Sequence, residues 1–216
     1  MTPDDYDGWY ATSRGRWIGE AEYQRAASLL DASPGDTLLD VGSGTGWFSR
    51  RAAADGLVVT GVDPKRAWIE YARQNSGTAL SWVEGDARRL PFADRSFDHV
   101  LSIAALCFVD DERRAVSECV RVARKRFVIG WLNRSSLLYW QKGRRGGRGA
   151  YRGARWHMRR EIVALLDGLP VRKLVVRSAI LLPSGGRIAR AIEGLVPASV
   201  AWGAREKRPD VRGLGW

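Results

Sequence analysis

Apolar runs of strand length alternate with amphipathic stretches of helix length from Thr37 onward, the pattern of βαβ units and a mostly parallel sheet. Thr37–Val41 reads as a short apolar strand and Trp47–Ala54 as the helix after it; residues 57–62 and 64–73 repeat the pair, with Pro64 at a favoured first-turn position. Residues 80–83 form a weak third strand, 97–103 a stronger fourth, 111–123 a helix with a charged start, and 126–132 a fifth strand. Right-handed crossovers then place helices on both faces of the sheet.

Upstream of the first strand, Ile18, Ala21, Arg25 and Leu29 recur at helical spacing with Ala26 and Leu30 beside them, which predicts an amphipathic helix over 17–30. Downstream of the fifth, residues 135–140 suggest a short helix and 159–166 another, ended by Gly168 and Pro170, while 171–182 suggest a sixth strand. Residues 141–153 are dense in Gly and Arg and are expected to be a mobile basic insertion, because such a composition buries little apolar area. The chain from 197 onward is poorly patterned. Residues 1–35 are therefore expected to form an N-terminal lid or helix, and 36–216 the main domain.

With 216 residues at 45% hydrophobic, one sizeable core is expected, with at most a small appendage. Cys107 and Cys119 fall in different elements without neighbouring ligands at metal spacing, so neither a disulfide scaffold nor a metal site is expected. The longest apolar stretch, around residues 100–109, is too short to cross a bilayer, and no basic leader precedes an apolar run; a cytoplasmic location is expected. Charge is uneven: residues 1–46 carry 3 basic and 8 acidic side chains, residues 121–216 carry 22 and 5, and the net charge is +11. That asymmetry fits an anionic partner or an arginine-rich solvated surface.

Asp40-Val41-Gly42-Ser43-Gly44-Thr45-Gly46 lies where a strand turns into a helix. Glycines there let the backbone approach a ligand closely while a helix N-terminus faces it. The spacing G-x-G-x-G departs from the dinucleotide pattern, and Asp40 would stand close to where a pyrophosphate lies, which suits a cationic ligand better. Asp63 ends the second strand, where an acid accepts from ribose hydroxyls or caps the next helix. Asp86 follows the third strand and is placed to accept from an adenine amine.

Together these residues resemble the class I S-adenosylmethionine-dependent methyltransferases, in particular the bacterial group of the ubiquinone and menaquinone biosynthesis C-methyltransferases with their type 11 domain. Leu39 through Gly46 looks like the group's first motif, Gly61-Val62-Asp63-Pro64 like its second-strand acidic motif, and Gly85-Asp86-Ala87 through Leu90-Pro91-Phe92 to Ser96-Phe97-Asp98 like its third. The resemblance implies an α/β, Rossmann-like fold whose sheet is mostly parallel. It implies that Asp40 with the backbone of Gly42 and Gly44, within the loop that includes Ser43 and Gly46, holds the methionine amino group. Asp63, followed by Pro64, would bind the ribose; Asp86 and the Ala87 backbone would read adenine; and the carbonyl of Ala104 would meet the methionine end. Tyr6, Tyr10 and Trp17 stand where relatives carry aromatic lids, a position that surface packing would equally explain. The chain departs from the group at Arg124-Lys125-Arg126, in place of a Pro-Gly-Gly turn, and over 204–216, where the expected antiparallel seventh strand is not evident.

Methyl transfer from a sulfonium is an in-line displacement in which positioning supplies much of the rate, so no catalytic side chain is obligatory. Where the acceptor must lose a proton, His157, beside the basic insertion, is the candidate base; His99 reads as a packed strand residue. Asn133 and Arg155 are the candidate acceptor contacts, Arg155 as a fork for a carboxylate or phosphate. Cys107 lacks the preceding proline of cysteine-dependent pyrimidine methyltransferases and is expected to be buried. The expected acceptor is a small molecule, anionic if the basic surface serves it. A nucleic-acid methyltransferase and a non-catalytic nucleotide-binding module are the alternatives, the first motivated by aromatic residues interleaved among arginines.

Overall fold

In the computed structural model, residues 2–179 and 200–204 are described, with 177–179 and 200–204 by backbone alone. Two helices open the chain. Thr2 and Asp5 form a reciprocal capping box at the start of α1 (Pro3–Ala11). The Thr12 hydroxyl then donates to Trp9 O and accepts from Gly15 N–H at 3.0 Å, ending α1 and starting α2 (Ser13–Leu30). The single helix expected over 17–30 thus begins earlier and has a partner helix before it, because both caps are threonines that the apolar period does not register. The inward stripe of α2 runs through Ile18, Tyr23, Ala26, Leu29 and Leu30, leaving Arg25 on the solvent side.

Among the described residues seven strands follow, in the order β3-β2-β1-β4-β5-β7-β6. β1 (Thr37–Val41), β2 (Val58–Asp63), β3 (Ser81–Glu84), β4 (Phe97–Ile103) and β5 (Ala123–Leu132) pair in parallel. β7 (Val200–Ala204) lies antiparallel between β5 and β6 (Val175–Ala179). The poorly patterned end therefore does hold an antiparallel strand, which ends at Ala204, where the stretch without an evident strand begins: backbone pairing on both sides fixes these five residues, with no alternation needed to mark them. Residues 180–182 of the expected sixth strand, and those after 204, lie outside the described residues.

Helices α3 (Trp47–Ala54), α4 (Arg66–Gln74), α5 (Glu112–Val122) and α6 (Arg159–Leu165) connect or flank the strands. Adjacent strand residues face opposite ways, as a period of two requires. Leu39, Val100 and Ile129 join the core that contains α5 and α6, while Leu38, Leu101 and Val128 join the one that contains α2 and α3. Pro64 is not the first residue of α4: the Asp63 carboxylate accepts the Lys65 N–H at 2.9 Å, and the helix begins at Arg66. β5 starts three residues before the expected 126, so Arg124, Lys125 and Arg126 lie within it and pair with Asp98, Asp36 and Asp31. Those acids, from the approaches to β1 and the start of β4, account for basic residues where the related group has a turn. Within the basic segment, a π-helical turn (Tyr139–Gly143) extends the short helix expected over 135–140, and a 3₁₀ turn (Gly149–Tyr151) follows.

Candidate functional site

The crevice is built at the carboxyl ends of β1, β2 and β4, where an open α/β sheet binds its ligands. Gly42, Gly44 and Gly46 all have positive φ (74°, 56° and 81°), which glycine alone adopts without strain. Gly42 and Ser43 donate their N–H groups to Val62 O at 2.8 and 3.1 Å, folding the loop over the end of β2. A Cβ on Gly42 would lie 2.2 Å from that of Ala105. The loop is thus clamped between two strand ends, and Ser43 Oγ and Thr45 Oγ1 are buried in it without a hydrogen-bond partner.

Three carboxylates mark three successive strand ends. Asp40, 3% exposed, accepts from Ser49 Oγ at 2.6 Å, and burial pushes its pKa up to about 7. Asp63 accepts from Gly44 N–H at 3.1 Å as well as from Lys65 N–H, yet burial still raises its pKa. It serves the turn before α4 and the glycine loop at once. Asp86 is half exposed, and both its oxygens are engaged by Arg88, which holds its carboxyl below the usual range. Ala87 is buried behind it. Ala104, just after β4, has φ 53°, in the left-handed region, and donates its N–H to Gly130 O.

Aromatic side chains roof the glycine loop. Trp68 lies 3.4 Å from where a Gly44 Cβ would stand, and Tyr6 meets Trp68 edge-on at 5.2 Å. Tyr10 is buried, stacks on Trp47 at 4.6 Å and shares a 3.3 Å hydrogen bond with the Tyr6 hydroxyl. Trp17 is half-buried and packs with the α2–α3 core. Sequence reasoning missed Glu22. It stands on the buried stripe of α2, four residues after Ile18 and four before Ala26, and the only signal was an acid at that spacing.

His157 follows β5 and is buried, its Nε2 2.8 Å from Glu112 Oε2; Trp131 Nε1 donates to the other Glu112 oxygen at 2.9 Å. The fold brings Cys107 into the same group, the three residues' side-chain ligand atoms lying within 4.8 Å of one another, which sequence spacing did not show. The Cys107 sulfur accepts the Leu132 N–H, so the cluster is a hydrogen-bonded part of the core. Asn133 pairs across from His157 in an isolated bridge, its Oδ1 accepting the Ser135 N–H. Arg155 spends its guanidinium on Val109 O and Asp110 O in the loop after β4. His99 is packed within β4, as expected, against Asp36.

Residues 39–129 match the family model described as a methyltransferase domain. Malonyl-[acyl-carrier protein] O-methyltransferase of Erwinia pyrifoliae is 40% identical over 109 residues, covering 48% of this chain and 41% of that protein. An uncharacterized protein of Mycobacterium tuberculosis is 34% identical over 188 residues, covering 83% of this chain and 62% of its own length. The chain spans less than two thirds of these curated relatives. Among solved structures, a SAM-dependent methyltransferase of Thermotoga maritima, described as a possible histamine N-methyltransferase, aligns with TM-score 0.75 at 25% identity, covering 95% of this chain and 96% of that one.

Proposed function

This chain carries a class I methyltransferase domain, and from that premise we propose that it transfers the methyl group of S-adenosylmethionine to a small-molecule acceptor, releasing S-adenosylhomocysteine. The observation that carries the reading is the pair of buried, cation-poor carboxylates, Asp40 and Asp63, beside a glycine loop with two orphaned hydroxyls. A ligand that is cationic and rich in hydroxyls and amines meets each of those needs. Asp40 with the loop backbone faces the amino acid end, Asp63 the ribose, and Asp86 with Ala87 the adenine, whose amine would share the carboxylate with Arg88. The left-handed turn at Ala104 fits a backbone carbonyl offered to the methionine end. Residues 1–35 act as the lid, through Tyr6 and Tyr10.

The cofactor supplies an already activated methyl group; the protein's part is to hold the acceptor in line and exclude water. His157 is a positioning residue in this reading, since its ring is buried against Glu112. Both cysteines are free, which suits a reducing, cytoplasmic location. No helix among the described residues is long and apolar enough to cross a membrane. The relatives' names point to different acceptors, malonyl-[acyl-carrier protein] in one and a possible histamine in another, so the acceptor's class rests on this chain's own residues. Trp140, 63% exposed with Arg144 4.6 Å over its ring, favours a second reading in which the acceptor is a nucleic acid.

Calorimetric titration with S-adenosylhomocysteine and with NAD tests the assignment. Binding of the first, weakened at least about tenfold by Asp63→Ala and less by Asp86→Ala, is expected. Preference for NAD, with no effect of Asp86→Ala, would sink it.

A further inference from the structure

The basic segment after β5 is seated on Trp156. Tyr139 and Tyr151 meet that buried ring at 5.4 and 5.5 Å, and a Cβ on Gly143 would run into both Tyr139 and Trp156. Beyond that seat the chain curls back on itself: Arg148 N–H donates to Lys142 O at 2.9 Å and Gly153 N–H to Gly146 O at 3.0 Å. The curl strains the backbone, since Arg145 holds a φ of 56° and Gly147 leaves no room for a Cβ beside Tyr151 O. It leaves an open cavity of about 250 Å³ lined by Trp140, Gln141, Arg144, Arg145 and Arg148. Arg144 lies 4.6 Å over the Trp140 ring. None of these three arginines has a carboxylate partner among the described residues, whereas Arg134 and Arg155, on either side in the chain, are bonded to Glu161 and to the loop after β4. Three guanidinium groups around one cavity repel one another, and an anion between them would offset that.

We propose that this cavity binds a small phosphate ester, its phosphate in the forks of Arg145 and Arg148 and its organic part against the exposed indole of Trp140, whether or not the domain transfers a methyl group. A guanidinium fork matches two phosphate oxygens at once, and an indole gives a ring or chain a broad face to lie on. Arg155, expected to be the fork for a carboxylate or phosphate, is already committed to the loop after β4. The aromatic residues favour a small ligand over a nucleic-acid strand, which needs a row of stacking faces. Of Trp131, Tyr139, Trp140, Tyr151 and Trp156, only Trp140 is exposed. One open ring beside one cluster of arginines fits one small ligand.

The test titrates phenyl phosphate and inorganic phosphate into the full chain by calorimetry in about 0.2 M salt, where diffuse attraction between surface charges is largely screened. Phenyl phosphate is expected to bind more tightly than inorganic phosphate. The double variant Arg145→Gln, Arg148→Gln is expected to weaken it at least about tenfold, and Trp140→Ala at least about threefold while leaving inorganic phosphate unchanged. Lys142→Gln removes a charge from the same segment but not from the cavity lining, and is expected to change phenyl phosphate affinity less than about twofold. The double variant is expected to melt no lower than wild type, because it removes like charges. No phenyl phosphate binding at about 10 mM, a loss in Lys142→Gln as large as in the double variant, equal affinity for the two probes, or a double variant that melts several degrees lower would overturn the proposal. So would a uridine oligomer that binds at least about tenfold more tightly than phenyl phosphate in the same salt and is lost in the double variant, which would assign the cavity to a nucleic-acid strand.

Discussion

Asp40 shows what burial costs a carboxylate placed in the proposed cofactor site. Its pKa, raised by burial to about 7 with Asp63 adding like charge, lies above the unfolded value near 4. Between about pH 4 and 7 the folded chain keeps a proton that the unfolded chain has lost, so stability falls as pH rises through that window and stays lower above it. Asp40→Asn is expected to raise the melting temperature of the ligand-free protein at pH 8 by a few degrees and to change it little at pH 4. The same substitution should weaken S-adenosylhomocysteine at least about tenfold by calorimetry, since a neutral amide lacks the counter-charge; unchanged affinity would remove Asp40 from the site. Such motif residues were legible in the sequence because strand, turn and helix punctuate them. Glu22 was not: one acid in an amphipathic helix reads as part of its wet face. Nor was the Glu112–His157 pair, whose members lie 45 residues apart and meet only through the end of β5.

Elements were read best where pattern alone determines them. β1, α3 and β4 fall where the apolar runs put them, whereas the start of β5 was missed because Arg124, Lys125 and Arg126 look like a break. They are held there by acids at the opposite edge from the crevice. Asp98, 8% exposed, accepts from the Thr37 N–H and hydroxyl at 3.1 and 2.8 Å and meets Arg124 and Lys125, tying the starts of β1, β4 and β5 together. Burial pushes its carboxyl up, but the Thr37 bonds and Lys125 more than offset that, and its pKa is lowered overall. Its contribution is therefore present above about pH 4 and lost as pH falls below it. Asp98→Ala is expected to cost about 2–3 kcal/mol at pH 7 in urea unfolding, with a smaller difference from wild type at pH 3. A cost below about 0.5 kcal/mol would show the network to be ornamental.

At the scale of the whole molecule, charge and connectivity matter most. Residues 141–153 hold 5 basic side chains and no acidic one, so this segment attracts polyanions whatever the acceptor is. Affinity for polyuridine is expected to fall at least about tenfold between about 50 and 200 mM salt, while that for S-adenosylhomocysteine moves less than about twofold. RNA affinity that withstood the salt would favour the nucleic-acid reading. The sheet's connectivity was the least legible property, because β7 is set by partners far away in the chain: Val128 pairs with Ala204 and Leu132 with Val200. A ribosome makes β5 long before β7, at about 5–20 residues per second. For several seconds the nascent chain must therefore carry β5 with one bare hydrogen-bonding edge, and β6, already made, has no seat beside it. Chaperone capture of that half-built sheet, and sticking of stalled or truncated products, are consequences of a strand that is made after both of its neighbours and goes between them.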